Sequence, residues 1–221
     1  MTFSIVGRCA RTGMVGMAIS TSSIAVTGRC VWVRGKVGAV ATQNITDPAI
    51  GSRILDLMAA GSAADRAVQQ ASAENPHRDY RQISAIDMLG GTGHYTGAKA
   101  SPVAASKIGR DCVAAGNILA NGAVPAAMVR VFEAETGIHL AERLLGAVEA
   151  GLEAGGEHGP VHSAGLLVAG EQTWSIVNLR VDWADDGPIA ALRKLWEAYQ
   201  PQMQDYLTRA LNPPALDRAK V

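Results

Sequence analysis

Hydrophobic residues at the start of the chain recur in short runs with the period of β-strands. Phe3 and Ile5 alternate with Ser4, which is the period-2 pattern of a half-buried strand. A turn follows at residues 10–13, and residues 14–20 are then almost wholly apolar, as expected for a strand covered on both faces. The start of the chain therefore predicts two or three strands in close succession.

Two later stretches change to the helical period, and each predicts two helices in succession. Asp47 and Pro48 suit the cap and the first helical position of the first helix. Ser62, followed three residues later by Asp65, is close to a capping box and predicts the start of the second helix. Another pair of helices is predicted to begin near Pro125.

The rest of the chain predicts further strands, one loop and a final helix. Strands are predicted at residues 37–42, 82–89, 94–96, 112–119, 164–168 and 174–181. Residues 98–111 have no clean period and are predicted to form a loop. The last helix is predicted to follow residues 185–188 and to bury Ile189, Leu192, Leu195 and Trp196.

The order of these elements predicts the fold class. Strands joined by tight turns are antiparallel, and helices that arrive in consecutive pairs tend to form separate layers. We therefore predict an α+β fold, a four-layer αββα sandwich in which two antiparallel sheets face each other between helix layers. The alternative is a three-layer arrangement with helices on one or both faces of a single sheet. Without an internal repeat or a linker, residues 1–221 are predicted to form one domain.

Composition excludes several classes of partner. Lys plus Arg equals Asp plus Glu, at 20 each, so no global field attracts nucleic acid or an anionic membrane. No apolar run approaches the roughly 18 residues of a membrane span. The 3 cysteines are scattered without a CxxC motif, and no signal peptide is evident, so we predict a cytoplasmic protein. The helices carry apolar faces that the core does not cover, and these faces predict a homo-oligomer.

The sequence predicts neither a metal site nor a cofactor. His158 and His162 have the spacing of paired metal ligands, but the Gly-Pro pair between them prevents a helix and no third ligand is nearby. Three aspartates near the last helix are better explained as charges at its N-terminus than as cation ligands, namely Asp182, Asp185 and Asp186. Phosphate-binding glycine motifs and the serine-hydrolase elbow are absent from the sequence.

Seven short strings carry a resemblance to a known family. They are TFSIV at 2–6, GAVATQ at 38–43, RQ at 81–82, TG at 96–97, GNIL at 116–119, SA at 163–164 and LRVD at 179–182. In this order the chain resembles domain-of-unknown-function family 1028, which is grouped with the N-terminal nucleophile (Ntn) hydrolases. The resemblance implies an αββα sandwich, which the element order predicts independently, and it implies much less about activity.

In the superfamily that the chain resembles, an N-terminal Thr, Ser or Cys attacks an amide carbonyl and its own α-amine takes the proton. Thr2 would carry both groups if Met1 were removed, and an α-amine with a pKa of about 8 is a base suited to neutral pH. We therefore predict that Thr2 hydrolyses a small-molecule or peptide-like amide. A retained Met1 would block the amine, so the alternative is a non-catalytic binding or scaffold protein.

Five further residues are candidates for substrate or oxyanion contacts. Gln43 and Asn117 end predicted strands and could supply the fixed amide donors that an oxyanion needs, although both could instead cap turns. His94 and Thr96 follow a tight turn and could face a cleft. Arg81 could bind a carboxylate with two hydrogen bonds. Surface or packing roles are the alternative for these three, and a site around His94 and Arg81 is the third functional hypothesis.

Overall fold

The computed structural model of the chain describes residues 1–215. Its strands are β1 (Thr2–Arg8), β2 (Val15–Thr21), β3 (Val31–Arg34), β4 (Gly38–Asn44), β5 (Arg81–Asp87), β6 (Thr92–Thr96), β7 (Ala105–Gly109), β8 (Cys112–Asn117), β9 (Ser163–Ala169) and β10 (Ser175–Val181). Its α-helices are α1 (Thr27–Cys30), α2 (Pro48–Ala59), α3 (Ala64–Glu74), α4 (Val124–Ala134), α5 (Leu140–Glu153), α6 (Pro188–Tyr199) and α7 (Met203–Leu211). Short 3-10 helices occur at Arg78–Tyr80, Gln200–Gln202 and Pro213–Ala215.

The strands form two sheets that pack face to face. One has six strands in the order β10-β9-β2-β1-β8-β7, and the other has four in the order β3-β4-β5-β6. Every neighbouring pair is antiparallel. Helices α4, α5 and α6 cover the outer face of the six-stranded sheet, and α2 and α3 cover that of the four-stranded sheet. The predicted four-layer sandwich is therefore confirmed, and the three-layer alternative is wrong.

Successive side chains of β1 point to opposite faces of the sheet, so this strand packs both against the helices and against the other sheet. Phe3 and Ile5 pack into the cluster that the helices α4 and α5 complete. Val6, on the opposite face, packs with Met17 and Ile86 between the two sheets. All five side chains are fully buried. The nearly unbroken apolar run of β2 follows from the same geometry, because a central strand of this sheet is covered on both faces.

One predicted loop contains a strand. Residues 98–111 include β7, which pairs with β8 at the edge of the six-stranded sheet. Ser106, Lys107 and Ile108 in the middle of β7 are exposed, so the strand has no buried face to impose a hydrophobic period. The prediction of a loop was wrong because an edge strand is held by backbone hydrogen bonds rather than by its side chains.

Two helix details also differ from prediction. Helix α3 begins at Ala64 without a side-chain cap from its own flank, and the Asp87 carboxylate accepts a hydrogen bond from the Ala64 N–H at 3.1 Å instead. The capping role predicted for Ser62 was therefore wrong. Leu195 is 41% exposed, whereas Trp196 is fully buried. Consecutive helical residues lie about 100° apart, so Leu195 falls outside the buried stripe of α6.

No helix within the described residues has the length and apolarity needed to cross a bilayer.

Candidate active site

Thr2 begins a strand in the middle of the larger sheet. Strand β1 lies between β2 and β8, and Thr2 is in register with Asn117 on β8. Thr2 is only 6% exposed, and its side chain points toward the other sheet because Phe3 points toward the helices. The Thr2 Oγ1 atom lies 3.3 Å from Oγ1 of Thr21, at the end of β2. Two hydroxyl groups therefore meet at the buried start of the chain.

Met1 covers this pair of hydroxyls. Both Thr2 Oγ1 and Thr21 Oγ1 donate hydrogen bonds to the Met1 carbonyl oxygen. The Met1 residue itself is 36% exposed at the surface. While Met1 is present, the Thr2 nitrogen is part of a peptide bond and has no lone pair to act as a base. In this form of the chain, Thr2 therefore has a hydroxyl group without a free amine beside it.

Gln82 joins two of the predicted site residues into one buried network. Its Oε1 atom accepts hydrogen bonds from Gln43 Nε2 at 2.7 Å and from Asn117 Nδ2 at 3.1 Å. The Ser4 hydroxyl, two residues along β1 from Thr2, donates to Gln43 Oε1 at 2.7 Å. Gln82, Gln43, Asn117 and Ser4 are all almost fully buried. The network therefore crosses from one sheet to the other directly beside Thr2.

The same network reaches the edge strand β6. Gln82 Nε2 donates to Thr96 Oγ1 at 3.3 Å, and that hydroxyl lies 2.9 Å from Nε2 of His94. The other ring nitrogen of His94 lies 3.3 Å from the Ser84 hydroxyl. Burial lowers the pKa of His94, although a backbone hydrogen bond acts in the opposite direction. The structure thus connects Gln43, His94, Thr96 and Asn117, which the sequence analysis had considered separately.

Arg81 lies apart from this network. Its Nη1 atom donates to the Ile45 carbonyl at 2.5 Å, and its Nε atom donates to Asn75 Oδ1 at 3.4 Å. Arg81 precedes Gln82 on β5, so its side chain points to the helix side of the sheet. These contacts fasten the loop after β4. The role predicted for Arg81 in carboxylate binding stays a prediction.

The backbone turns sharply where β8 ends. Ile118 follows Asn117 and has a φ of 50°, in the left-handed region that a β-branched residue rarely adopts. Its carbonyl accepts a hydrogen bond from the His158 N–H at 2.8 Å, which helps to hold this conformation. Backbone strain of this kind tends to accumulate at functional sites. The turn makes Asn117 the last residue of its strand, next to Thr2.

Three side-chain oxygens near the turn are buried without a hydrogen-bond partner of full geometry in the described part of the chain. One is Oδ1 of Asn117, and the others are the two carboxylate oxygens of Glu157. Burial raises the pKa of Glu157 to about 7, although the positive charge of the chain terminus and a backbone hydrogen bond from Ser22 lower it. Native proteins leave few such groups unpaired, so each calls for a ligand, a water molecule or a protein donor.

Sequence reasoning did not identify Ser4, Thr21, Gln82 or Glu157 as site residues. A signal was available for Ser4, because a period of 2 places it on the same face as Thr2. Thr21 and Gln82 enter only through strand register, which brings residues from distant parts of the chain together. Nothing in the sequence around Glu157 indicates that its side chain is buried.

Four surface cavities lie away from Thr2. One of about 230 Å³ is lined by Cys9, Arg110 and Arg143, among others. Cys9 follows the far end of β1, and a strand of seven residues spans about 20 Å, so this cavity is remote from Thr2. None of the four cavities has Thr2 in its lining. Residues 1–215 also contain no cluster of three or more His, Cys, Asp or Glu side chains able to hold a metal ion.

Comparison with known proteins assigns the chain to a family. Residues 2–192 match the model of a family described as a family of unknown function, domain-of-unknown-function 1028. The chain belongs to domain-of-unknown-function family 1028. A crystal structure from the same family, of a protein from Silicibacter pomeroyi, is 31% identical, covers 90% of this chain and 86% of its own, and superposes with a TM-score of 0.84.

More distant solved structures are similar to this member of family 1028 at low scores. Anbu, an ancestral β-subunit from Yersinia bercovieri, is 9% identical, covers 92% of this chain and 97% of its own, and has a TM-score of 0.41. A Gly-1 mutant of Anbu from Hyphomicrobium sp. strain MC1 is 14% identical, covers 93% and 97%, and has a TM-score of 0.44. No curated protein matches the chain significantly.

Proposed function

We propose that this protein is an Ntn-type amidohydrolase that cleaves a small amide or peptide-like bond with Thr2 as its nucleophile. The observation that carries the proposal is the position of the Thr2 hydroxyl. It lies at the buried start of a central strand, 3.3 Å from the Thr21 hydroxyl and in register with the Asn117 amide. Removal of Met1 would place a free amine on the same residue, which is the base that a threonine nucleophile needs.

The proposed reaction uses groups of the chain itself. The α-amine of Thr2 takes the proton from Oγ1, and Oγ1 attacks the carbonyl carbon of the substrate. The leaving amine takes that proton as the carbon–nitrogen bond breaks, and water then hydrolyses the ester that remains on Thr2. Asn117 and Gln43 are the proposed amide donors to the oxyanion, since both belong to the rigid network beside Thr2.

Removal of Met1 would also free the binding space. In the chain that keeps Met1, the Met1 carbonyl accepts hydrogen bonds from both the Thr2 and the Thr21 hydroxyl groups. Met1 is exposed, so an aminopeptidase can reach it. The substrate carbonyl is proposed to enter where the Met1 carbonyl now lies, because the hydroxyls that hold one carbonyl group are placed to contact another.

A second function is favoured by the same contact. A chain that keeps Met1 has a satisfied carbonyl and a buried, blocked threonine. Such a protein would use the sandwich as a binding or scaffold module without catalysis. The two functions differ in one measurable property, which is the identity of the first residue of the protein in its native source.

The test combines intact mass with a covalent probe. Protein from its own source is expected to begin at Thr2, and a peptide α′,β′-epoxyketone is expected to label it, since this group forms a ring with a hydroxyl and an amine on one residue. Thr2→Ala is expected to abolish labelling, while Thr12→Ala, in an exposed turn, is expected to retain it. A chain that uniformly begins at Met1 and is not labelled would establish the scaffold function instead.

Self-association is part of the proposal. Large apolar side chains are more than two-fifths exposed at Trp174, Trp183 and Leu195. Exposed apolar area of this kind is typical of association surfaces when it is contiguous. Light scattering coupled to size exclusion is expected to give a mass of at least twice the 23.0 kDa of one chain, and a mass of one chain would contradict self-association.

A further inference from the structure

Glu157 is a buried carboxyl group without a well-formed hydrogen bond. The residue follows α5, forms an isolated β-bridge with Leu119, and is only 4% exposed. Neither carboxylate oxygen has a partner of full hydrogen-bond geometry within residues 1–215, although the backbone N–H of Ser22 lowers the pKa of the group. A buried carboxylate with so little hydrogen bonding is unfavourable, so a further donor at this position would stabilise it.

The Glu157 segment lies at the start of the chain. Its bridge partner Leu119 is two residues beyond Asn117, which is in register with Thr2. On the other side, a Cβ atom at Gly159 would lie 4.0 Å from the Met1 sulfur. The positive charge of the terminal ammonium group lowers the pKa of Glu157, which burial raises. It is the one charged group of the described chain found to influence Glu157.

We propose that Glu157 is a positioning residue for the α-amine of Thr2: once Met1 is removed, its carboxylate accepts a hydrogen bond from that amine and takes up the proton that the amine must lose to act as a base. This inference rests on the proposed function. It adds a second residue to the base and gives the buried carboxyl group next to the strand start a role.

The proton balance explains why the carboxyl group is buried. The amine is a base only when it is neutral, so one proton must leave the ammonium nitrogen and bind a Glu157 oxygen before Oγ1 gives up its own proton. An exposed glutamate, with a pKa of about 4.3, would hold the pair almost entirely as ammonium and carboxylate. In the chain that keeps Met1, burial raises the pKa of Glu157 to about 7, within roughly one unit of an α-amine, and a carboxyl group of this kind can share a proton with the amine.

The test compares Glu157→Gln with Glu153→Gln, an exposed residue at the end of α5, in protein shown by mass to begin at Thr2. The first measurement is the pKa of the Thr2 α-amine, which is determined by an NMR titration of protein labelled at threonine. Loss of the carboxylate is expected to lower that pKa by about one unit, because a neighbouring anion favours the ammonium form. Glu153→Gln is expected to leave it unchanged.

The second measurement is the rate of epoxyketone labelling as a function of pH. The wild-type profile is expected to contain two ionisations and the Glu157→Gln profile one. At high pH, where the amine is neutral in both proteins, Glu157→Gln is expected to react about tenfold more slowly because the amine is less well oriented. Should Glu157→Gln fail to fold, Glu157→Asp replaces it in both measurements. This variant keeps the carboxylate but moves it away from the amine, because the side chain is one methylene shorter.

The outcomes separate this inference from the proposed function. An amine pKa that is the same in Glu157→Gln and Glu153→Gln overturns the role of Glu157, even if Thr2 is labelled. A wild-type protein that is not labelled overturns the hydrolase proposal. If the amine pKa still shifts in Glu157→Gln in that case, the contact between Glu157 and the chain start is supported without catalysis.

Discussion

Gln82 is a buried side chain that holds several neighbours of Thr2 in position. Its amide accepts hydrogen bonds from Gln43 and Asn117 and donates to the Gly116 carbonyl at 3.0 Å and to Thr96. The side chain is fully buried. A glutamine has two donor hydrogens and one acceptor oxygen, so all of its capacity is used. The orientation of the neighbours of Thr2 therefore depends on Gln82.

Replacement of Gln82 by leucine is expected to destabilise the fold. The substitution keeps the approximate volume but leaves the amides of Gln43 and Asn117 without their acceptor. A buried polar group without a partner costs about 1–3 kcal/mol, so we expect the free energy of unfolding to fall by roughly 3 kcal/mol in total. Urea denaturation measures this change.

The matched control is Gln69→Leu. Gln69 is exposed on α3, so the same exchange is expected to alter the free energy of unfolding by no more than about 0.5 kcal/mol. Equal stability of the two variants would show that the network between the sheets contributes little.

At the scale of elements, the approach of helix α2 to strand β3 depends on one glycine. A Cβ atom at Gly51 would lie 2.0 Å from Cδ1 of Trp32, far inside any real contact. The Trp32 indole also donates to the Thr42 hydroxyl at 3.4 Å, which limits its movement. On the outer face of the six-stranded sheet, α4 and α5 pack together. There, a Cβ atom at Gly146 of α5 would have only Val131 nearby, at an ordinary contact distance of 3.6 Å. The two helical glycines therefore have different roles.

Alanine substitution should separate these roles. Gly146→Ala is expected to raise the free energy of unfolding by about 0.5–1 kcal/mol, because alanine is the better helix former. Gly51→Ala gains the same helix propensity but forces the Trp32 ring to move, and overpacking costs about 1–3 kcal/mol, so a net loss is expected. Thermal denaturation followed by circular dichroism checks both signs. A Gly51→Ala protein more stable than wild type would mean that α2 can shift away from β3 freely.

At the scale of the whole molecule, surface charge contributes little and buried charge contributes more. Hydrogen bonding to Arg53 lowers the pKa of Glu74 to about 2, but the pair is exposed at the surface and adds little to stability. Glu157 is different because its side chain is buried. Its pKa is raised from 4.5 in the unfolded reference to about 7 in the folded protein. Folding therefore favours the protonated acid.

The free energy of unfolding should consequently fall as pH rises from about 4.5 to 7. In that window the unfolded chain binds fewer protons at this residue than the folded chain, so deprotonation stabilises the unfolded state. A shift from 4.5 to about 7 corresponds to roughly 3 kcal/mol at most. Urea denaturation at several pH values, on chains that retain Met1, is expected to show this contribution in wild type and its loss in Glu157→Gln.

Glu153→Gln is the control for the titration. It removes an exposed carboxyl group that gains nothing from burial, so its pH profile is expected to match that of wild type. A wild-type profile identical to that of Glu157→Gln would show that the buried carboxyl group is solvated in the folded protein.

The amino-acid sequence by itself determined the order of elements and the layered fold. Hydrophobic period and turn residues are local properties, so β1, β2 and the helix start at Asp47 could be predicted from a few neighbouring residues. Gln43, His94, Thr96 and Asn117 could be chosen individually from their places beside turns. Where a strand has no buried face, as in β7, no local pattern exists and the prediction was wrong.

Only the tertiary structure decided which of these residues act together. The network through Gln82 joins side chains from β1, β4, β5, β6 and β8, and strand register, which depends on the whole sheet, sets their contacts. In the same way, Asp87 caps α3 from a distant strand, and the His158 N–H, next to Glu157, donates a hydrogen bond to the Ile118 carbonyl. Contacts between residues far apart in the chain arise from packing, and no local pattern in the sequence encodes them.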